Sequence, residues 1–142
     1  MLVGDVMTNH AVYVKEDEPV SAAARLLKQY NIGALPVCDD QGCLMGMITD
    51  RDIVLRCVAS GENPENTPIG RIMSRGIKTV HPGDYIEDAS ETMSRSQIRR
   101  LPVVEHGRLV GMLALGDMAR QENCDIEASE ALTEISQNIR RL

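Results

Sequence analysis

Aromatic residues are almost missing from this 142-residue chain, which has three Tyr, no Phe and no Trp. A core must therefore be filled by Leu, Ile, Val, Ala and eight Met, the last an unbranched and adaptable filler. Single-strand nucleic-acid binders need aromatic platforms in a basic groove, whereas this chain carries a formal charge of -6, so no nucleic acid is expected as a partner. Long apolar runs are lacking as well. None approaches the roughly 20 residues that span a bilayer, so no membrane partner is expected either. The start Met1-Leu2-Val3-Gly4-Asp5 has no basic stretch followed by an apolar one, which points away from secretion and toward the cytoplasm.

Catalytic and metal signatures are also scarce. Cys38, Cys43, Cys57 and Cys124 follow no CxxC spacing, and His10, His81 and His106 are scattered, so no metal site is expected. Cys38 and Cys43 flank the turn Asp39-Asp40-Gln41-Gly42 and would face each other across a hairpin, near enough for a disulfide or a shared metal. Buried or inert thiols are the simpler reading. Neither GxxxxGKS/T nor GxGxxG occurs, and no nucleophile and base stand in a local signature, so the chain does not read as an enzyme.

What is present is a repeat. Sliding the sequence by 66 positions pairs Val3-Gly4-Asp5-Val6-Met7-Thr8 with Ile69-Gly70-Arg71-Ile72-Met73-Ser74. In the same register Val20, Ala23, Ala24 and Leu27 fall on Ile86, Ala89, Ser90 and Met93, the i, i+3, i+4, i+7 face of a helix. Ile32-Gly33-Ala34-Leu35-Pro36-Val37 then meets Ile98-Arg99-Arg100-Leu101-Pro102-Val103, runs of strand type. Past a turn one residue shorter in the second copy, Leu44-Met45-Gly46-Met47-Ile48 aligns with Leu109-Val110-Gly111-Met112-Leu113. Each leads to an Asp, Asp52 or Asp117, at the start of a second helix. The fold class is therefore α/β, with two β-α-β-β-α units packed about a pseudo-twofold axis because about 60 residues bury too little surface alone. The expected divisions are 1–64, 65–123 and a tail at 124–142, with Ser60 to Pro68 as linker. In the tail, Ile126, Ala128, Leu132, Ile135 and Ile139 form a broad helical stripe that must dock either on its own unit or on another subunit.

The segment Gly46-Met47-Ile48-Thr49-Asp50-Arg51-Asp52 carries the most chemistry. Gly46 admits a close backbone or ligand, and the helix start offers unpaired N–H groups to an anion. Thr49 can donate to a phosphate oxygen, Arg51 adds charge, and Asp52 can accept from both hydroxyls of a ribose. The competing reading is structural: Thr49 or Asp50 caps the helix, with Asp52 in its first turn.

In both copies the doubled Leu-Pro-Val strand, the following Gly-hydrophobic-x-Thr-x-x-Asp segment (Ala114 standing for Thr in the second) and the leading Val-Met-Thr or Ile-Met-Ser turn resemble the CBS-domain family over nearly all of residues 2 to 122. The resemblance implies a tandem pair, or Bateman module, with two clefts. It implies a regulatory role in which AMP, ADP, ATP or S-adenosylmethionine binds and a partner protein reads the change, with homodimers common. Carried over, it puts the ribose on Asp52, a phosphate on Thr49, and the base against Gly33, Ala34, Leu35, Pro36 and Met47. Arg99 and Arg100 would reach the same phosphates from the other unit. The second cleft keeps Asp117 with Pro102 and Met112, but Ala114 and Gly116 replace Thr49 and Arg51. Tight binding of a phosphorylated ligand is thus expected at the Asp52 cleft. The alternative is a structural or protein-interaction module with vestigial clefts.

Overall fold

A computed structural model describes residues 1–121 and 125–140, with the side chains of the last helix described over 128–136. Along the chain run α1 (Val3–Val6), β1 (Thr8–Asn9), α2 (Val20–Tyr30), β2 (Ala34–Cys38), β3 (Leu44–Thr49) and α3 (Asp50–Ile53), which continues into a π-helical turn over Val54–Val58. Then follow α4 (Ile69–Ile72), α5 (Ile86–Ser96), β4 (Arg100–Glu105), β5 (Arg108–Ala114), α6 (Leu115–Ala119) and α7 (Asp125–Arg140). The mixed α/β order repeats as the sequence predicts, and two compact units result. One is Val12–Ile77, here the Asp52 unit; the other joins Met1–Ala11 to Lys78–Leu142, here the Asp117 unit.

In the Asp52 unit, β2 and β3 form an antiparallel hairpin that sets Ala34 opposite Thr49 and Pro36 opposite Met47, with a bulge at Val37/Cys38. The strand expected before α2 shrinks to one parallel bridge, Val14 to Val37. Val20, Ala23 and Leu27 of α2 enter the core with Leu35, Val37, Ile48, Ile69 and Ile72, while Ala24 is exposed. Pro19 precedes α2 and offers no capping side chain, so the backbone supplies the acceptors. The N–H groups of Val20 and Ser21 donate to the carbonyls of Thr67 at 2.8 Å and Pro64 at 3.0 Å. The segment expected as a linker thus folds onto the helix start, with Thr67 buried and its hydroxyl donating to the Asn63 carbonyl at 2.7 Å.

The Asp117 unit repeats this plan, with Ile86, Ala89, Ser90 and Met93 of α5 all buried as the helical spacing predicts. Its sheet has the order β1-β5-β4, and Val80 makes the single parallel bridge to Val103. The short leading helices are exchanged relative to the sequence repeats. Val3 and Val6 of α1 pack in the Asp117 core, and Ile69 and Ile72 of α4 pack in the Asp52 core.

α7 docks on α5 and α6 of its own unit through Ala128, Ala131 and Ile135. The predicted stripe held Leu132 on this face; Leu132 instead is 43% exposed and Ala131 takes the contact. Small residues at 128 and 131 let the helix lie close over α5, burying Ser90 and Ser94. Their counterparts on α2, Ala24 and Lys28, are exposed. Burying Ile135 contributes about 1.5–3 kcal/mol. Cys124 and the side chains of Ile126 and Ile139 lie outside the described residues.

Candidate functional site

Where β3 meets α3, two side chains fix the turn. The Thr49 hydroxyl accepts the Asp52 N–H at 3.0 Å, and the Asp52 carboxylate accepts the Thr49 N–H at 3.0 Å, a reciprocal capping box. Arg51 N–H donates to the Asp50 carboxylate at 2.8 Å, and Asp50 N–H to the Gly33 carbonyl at 3.0 Å. The N–H groups expected to be open to an anion are therefore occupied. Thr49 keeps its own O–H as a donor, and the Arg51 side chain is exposed.

Asp52 is buried, and it has partners that the sequence pattern did not assign. The Ser74 hydroxyl lies 3.4 Å from both carboxylate oxygens, and Arg56, one helical turn on, approaches to 3.8 Å. Arg56 also donates to the Ile72 carbonyl at 3.1 Å and lies 3.4 Å from that of Met73, tying the carboxylate to the end of α4 and the segment that follows. That segment crosses β3: Met47 and Ser74 exchange N–H···O bonds of 2.9 and 2.8 Å. A Cβ on Gly46 would sit 2.4 Å from the Ser74 carbonyl oxygen, so this glycine admits backbone. A carboxylate has about four acceptor positions, so Asp52 retains capacity on the oxygen facing Arg56.

The Asp117 unit builds the same cradle from different atoms. Asp117 accepts the Ala114 N–H at 3.2 Å, lies 3.5 Å from the Thr8 hydroxyl and is ion-paired with Arg120. Gly111 lies under Thr8 as Gly46 lies under Ser74; its Cβ would be 2.6 Å from the Thr8 carbonyl oxygen. Only one half of the capping box exists here, since Ala114 has no hydroxyl. Thr8 and Ser74 pair under the 66-residue repeat, so comparing the copies around each Asp is the signal that could have found them.

The predicted base contacts divide by strand alternation. Leu35 is turned wholly into the core, so a ligand would meet only its backbone; Ala34 and Pro36 lie on the opposite strand face. Met47 and Pro36 are buried as cross-strand neighbours; Met112 and Pro102 pair at the same register in the other unit, with Met112 half-buried. Arg100 stands opposite Ala114, and the Arg99 carbonyl accepts the Leu115 N–H at 2.8 Å. The two arginines line a cavity of about 550 Å3 with Ala114, Gly116, Ser129 and Leu132. Neither guanidinium is paired with a carboxylate among the described residues. Among those residues, no group of three or more His, Cys, Asp or Glu side chains is placed to hold a metal, and no helix is long and apolar enough to cross a membrane.

The doubled strand-to-helix turn, each with its Asp, matches the CBS domain over residues 3–58 and 69–122. The chain belongs to the CBS-domain family. It is 46% identical over 138 residues to CBS domain-containing protein YhcV of Bacillus subtilis, covering 96% of this chain and 97% of that protein. Among solved structures, Hypoxic Response Protein I with two coordinated zinc ions is similar at a TM-score of 0.80 and 36% identity, over 85% of this chain and 98% of that one. The CBS domain pair of protein MJ0100, in complex with 5-methylthioadenosine and S-adenosylmethionine, matches at a TM-score of 0.75 and 30% identity, over 84% and 94%. CBSX2 in complex with AMP matches at 0.74 and 31%, over 84% and 93%.

Proposed function

We propose that this CBS pair is a non-catalytic regulatory module that binds an adenosine-containing ligand and signals its presence to a partner protein. The observation that carries the reading is the repeated carboxylate cradle. Asp52 and Asp117 each take a cap N–H, a hydroxyl from the segment after a short leading helix, and an arginine on the following turn. A fixed carboxylate of this kind recognises paired hydroxyls such as those of ribose. That two similar CBS structures hold AMP, or S-adenosylmethionine and methylthioadenosine, supports the same ligand class here. The ribose is assigned to Asp52 and Asp117, phosphates to Thr49 and Arg51 or to Arg99 and Arg100, and the base to Gly33, Ala34, Pro36 and Met47 or to Pro102, Met112 and Ala114. The protein acts in the cytoplasm as a homodimer, and the exposed Val54, Leu55 and Val58 on the π turn supply apolar surface for pairing. Calorimetric titration with AMP, ATP and S-adenosylmethionine tests the ligand, and sedimentation tests the dimer.

One observation favours a second reading, an interaction module with clefts that no longer bind. The Thr49 and Asp52 side chains are already engaged in capping each other's N–H groups. No thermal stabilisation by any of these ligands, where a ligand at 100 times its Kd gives about 2.7 kcal/mol, would select that reading.

A further inference from the structure

α7 lies beyond both segments that match the CBS domain, which end at residue 122. It nonetheless supplies one wall of the arginine cavity. Ser129 and Leu132 face the same space as Arg99 and Arg100, which lies wholly within the Asp117 unit. Leu132 is the one described large apolar side chain of α7 that the core leaves exposed, while its neighbour Ala131 is fully buried. Among the described side chains the helix is held by Ala128, Ala131 and Ile135, and Leu132 is not part of that core. A volume of about 550 Å3 is within the range that encloses a small organic ligand. Two guanidinium groups without carboxylate partners among the described residues make one end of it anion-seeking; Leu132, Leu115 and Ala119 make another end apolar.

We propose that α7 is a specificity element of this cavity: it closes over a ligand that joins an anionic group, held by Arg99 and Arg100, to an apolar body packed on Leu132. Occupancy and the docking of α7 are then coupled, because the ligand touches the helix as well as the sheet. This rests on the adenosine reading only in naming AMP as the natural probe. The inference moves phosphate recognition to the unit that lacks Thr49, since the arginines border Ala114 and Gly116 of their own unit.

The test is Leu132→Glu, an exposed position whose new carboxylate would occupy the arginines, beside Leu132→Gln as the uncharged control of equal size. AMP, adenosine and inorganic pyrophosphate are titrated into each full-length protein, and amide exchange of α7 is followed with and without AMP. The expected result is a three- to tenfold loss of AMP and adenosine affinity in Leu132→Gln with pyrophosphate within threefold of wild type, a similar adenosine loss but a further loss of at least tenfold for AMP and pyrophosphate in Leu132→Glu, and slower exchange in α7 when AMP is bound. Wild-type AMP binding that Leu132→Glu leaves intact would overturn the role of α7 while the adenosine reading stands. Equal losses from Glu and Gln would overturn the pairing of anion with arginine. Pyrophosphate binding without AMP or adenosine binding would remove the adenosine reading and keep the cavity; binding of none of the three would overturn both.

Discussion

The two strand-to-helix turns differ by one hydroxyl, and that difference predicts opposite responses to reciprocal substitutions. Thr49→Ala removes the acceptor of the Asp52 N–H, 3.0 Å away, and leaves a buried carboxylate with a looser turn. Replacing an N-cap Thr by Ala costs about 1 kcal/mol, within a range of about 0.5–2. Ala114→Thr installs the missing acceptor for the Asp117 N–H; the carboxylate half of that box already stands at 3.2 Å, and Ala114 borders a cavity with room for the added atoms. It should stabilise by a similar amount. In a chain of this length each change corresponds to a Tm shift of roughly 3 °C, downward for Thr49→Ala and upward for Ala114→Thr. Urea unfolding followed by far-UV circular dichroism, with amide exchange at residues 52 and 117, measures both. A neutral Thr49→Ala, or an Ala114→Thr that destabilises, would refute the reading that the hydroxyl serves the fold.

Three further outcomes follow from particular contacts. Gly46→Ala and Gly111→Ala place a Cβ 2.4 and 2.6 Å from the carbonyl oxygens of Ser74 and Thr8, so each should cost upwards of about 2 kcal/mol, whereas Gly116→Ala, which meets nothing within 4 Å, should be neutral or stabilising; thermal melts compare them. Burial, with Asp39 and Cys43 nearby, pushes the Cys38 thiol from its ordinary 9.0 up to about 11, so at pH 8 a thiol reagent should label Cys43 well before Cys38, and mass spectrometry of the first adduct reads the order. Because that folded pKa is raised, the folded state holds more protons between pH 9 and 11, and stability should be intact below pH 9 and fall through this window; a Cys38→Ala variant whose alkaline melting curve keeps the same slope would contradict it.

Much of the fold could be read from periodicity. All four helical positions chosen on α5 are buried, and the hairpins begin and end close to the expected apolar runs. Ala24 departs because helix spacing defines a face but not what covers it. Its counterpart Ser90 is buried where α7 packs on α5, and among the described residues Ala24 on α2 is exposed. The exchange of α1 and α4 between the units was not legible, since a sequence repeat records likeness along the chain and not which core each segment enters. Hydrophobicity alone ranks Leu132 above Ala131 for the inward face; close helix packing over Ser90 and Ser94 selects the smaller residue. The placement of Asp52 and Asp117 at helix starts was legible, but Ser74, Thr8, Arg56 and Arg120 around them were not. Each reaches its carboxylate through the crossing of the leading segment or through the helix turn that follows it.

The most direct test of the account is calorimetric titration of AMP and S-adenosylmethionine into the wild-type protein and into the Asp52→Ala, Asp117→Ala double variant, with far-UV circular dichroism establishing that the variant is folded. The account predicts saturable binding of at least one of these ligands to the wild type and its loss in the folded double variant. Undiminished binding in that variant, or no binding to the wild type by either ligand, would contradict it.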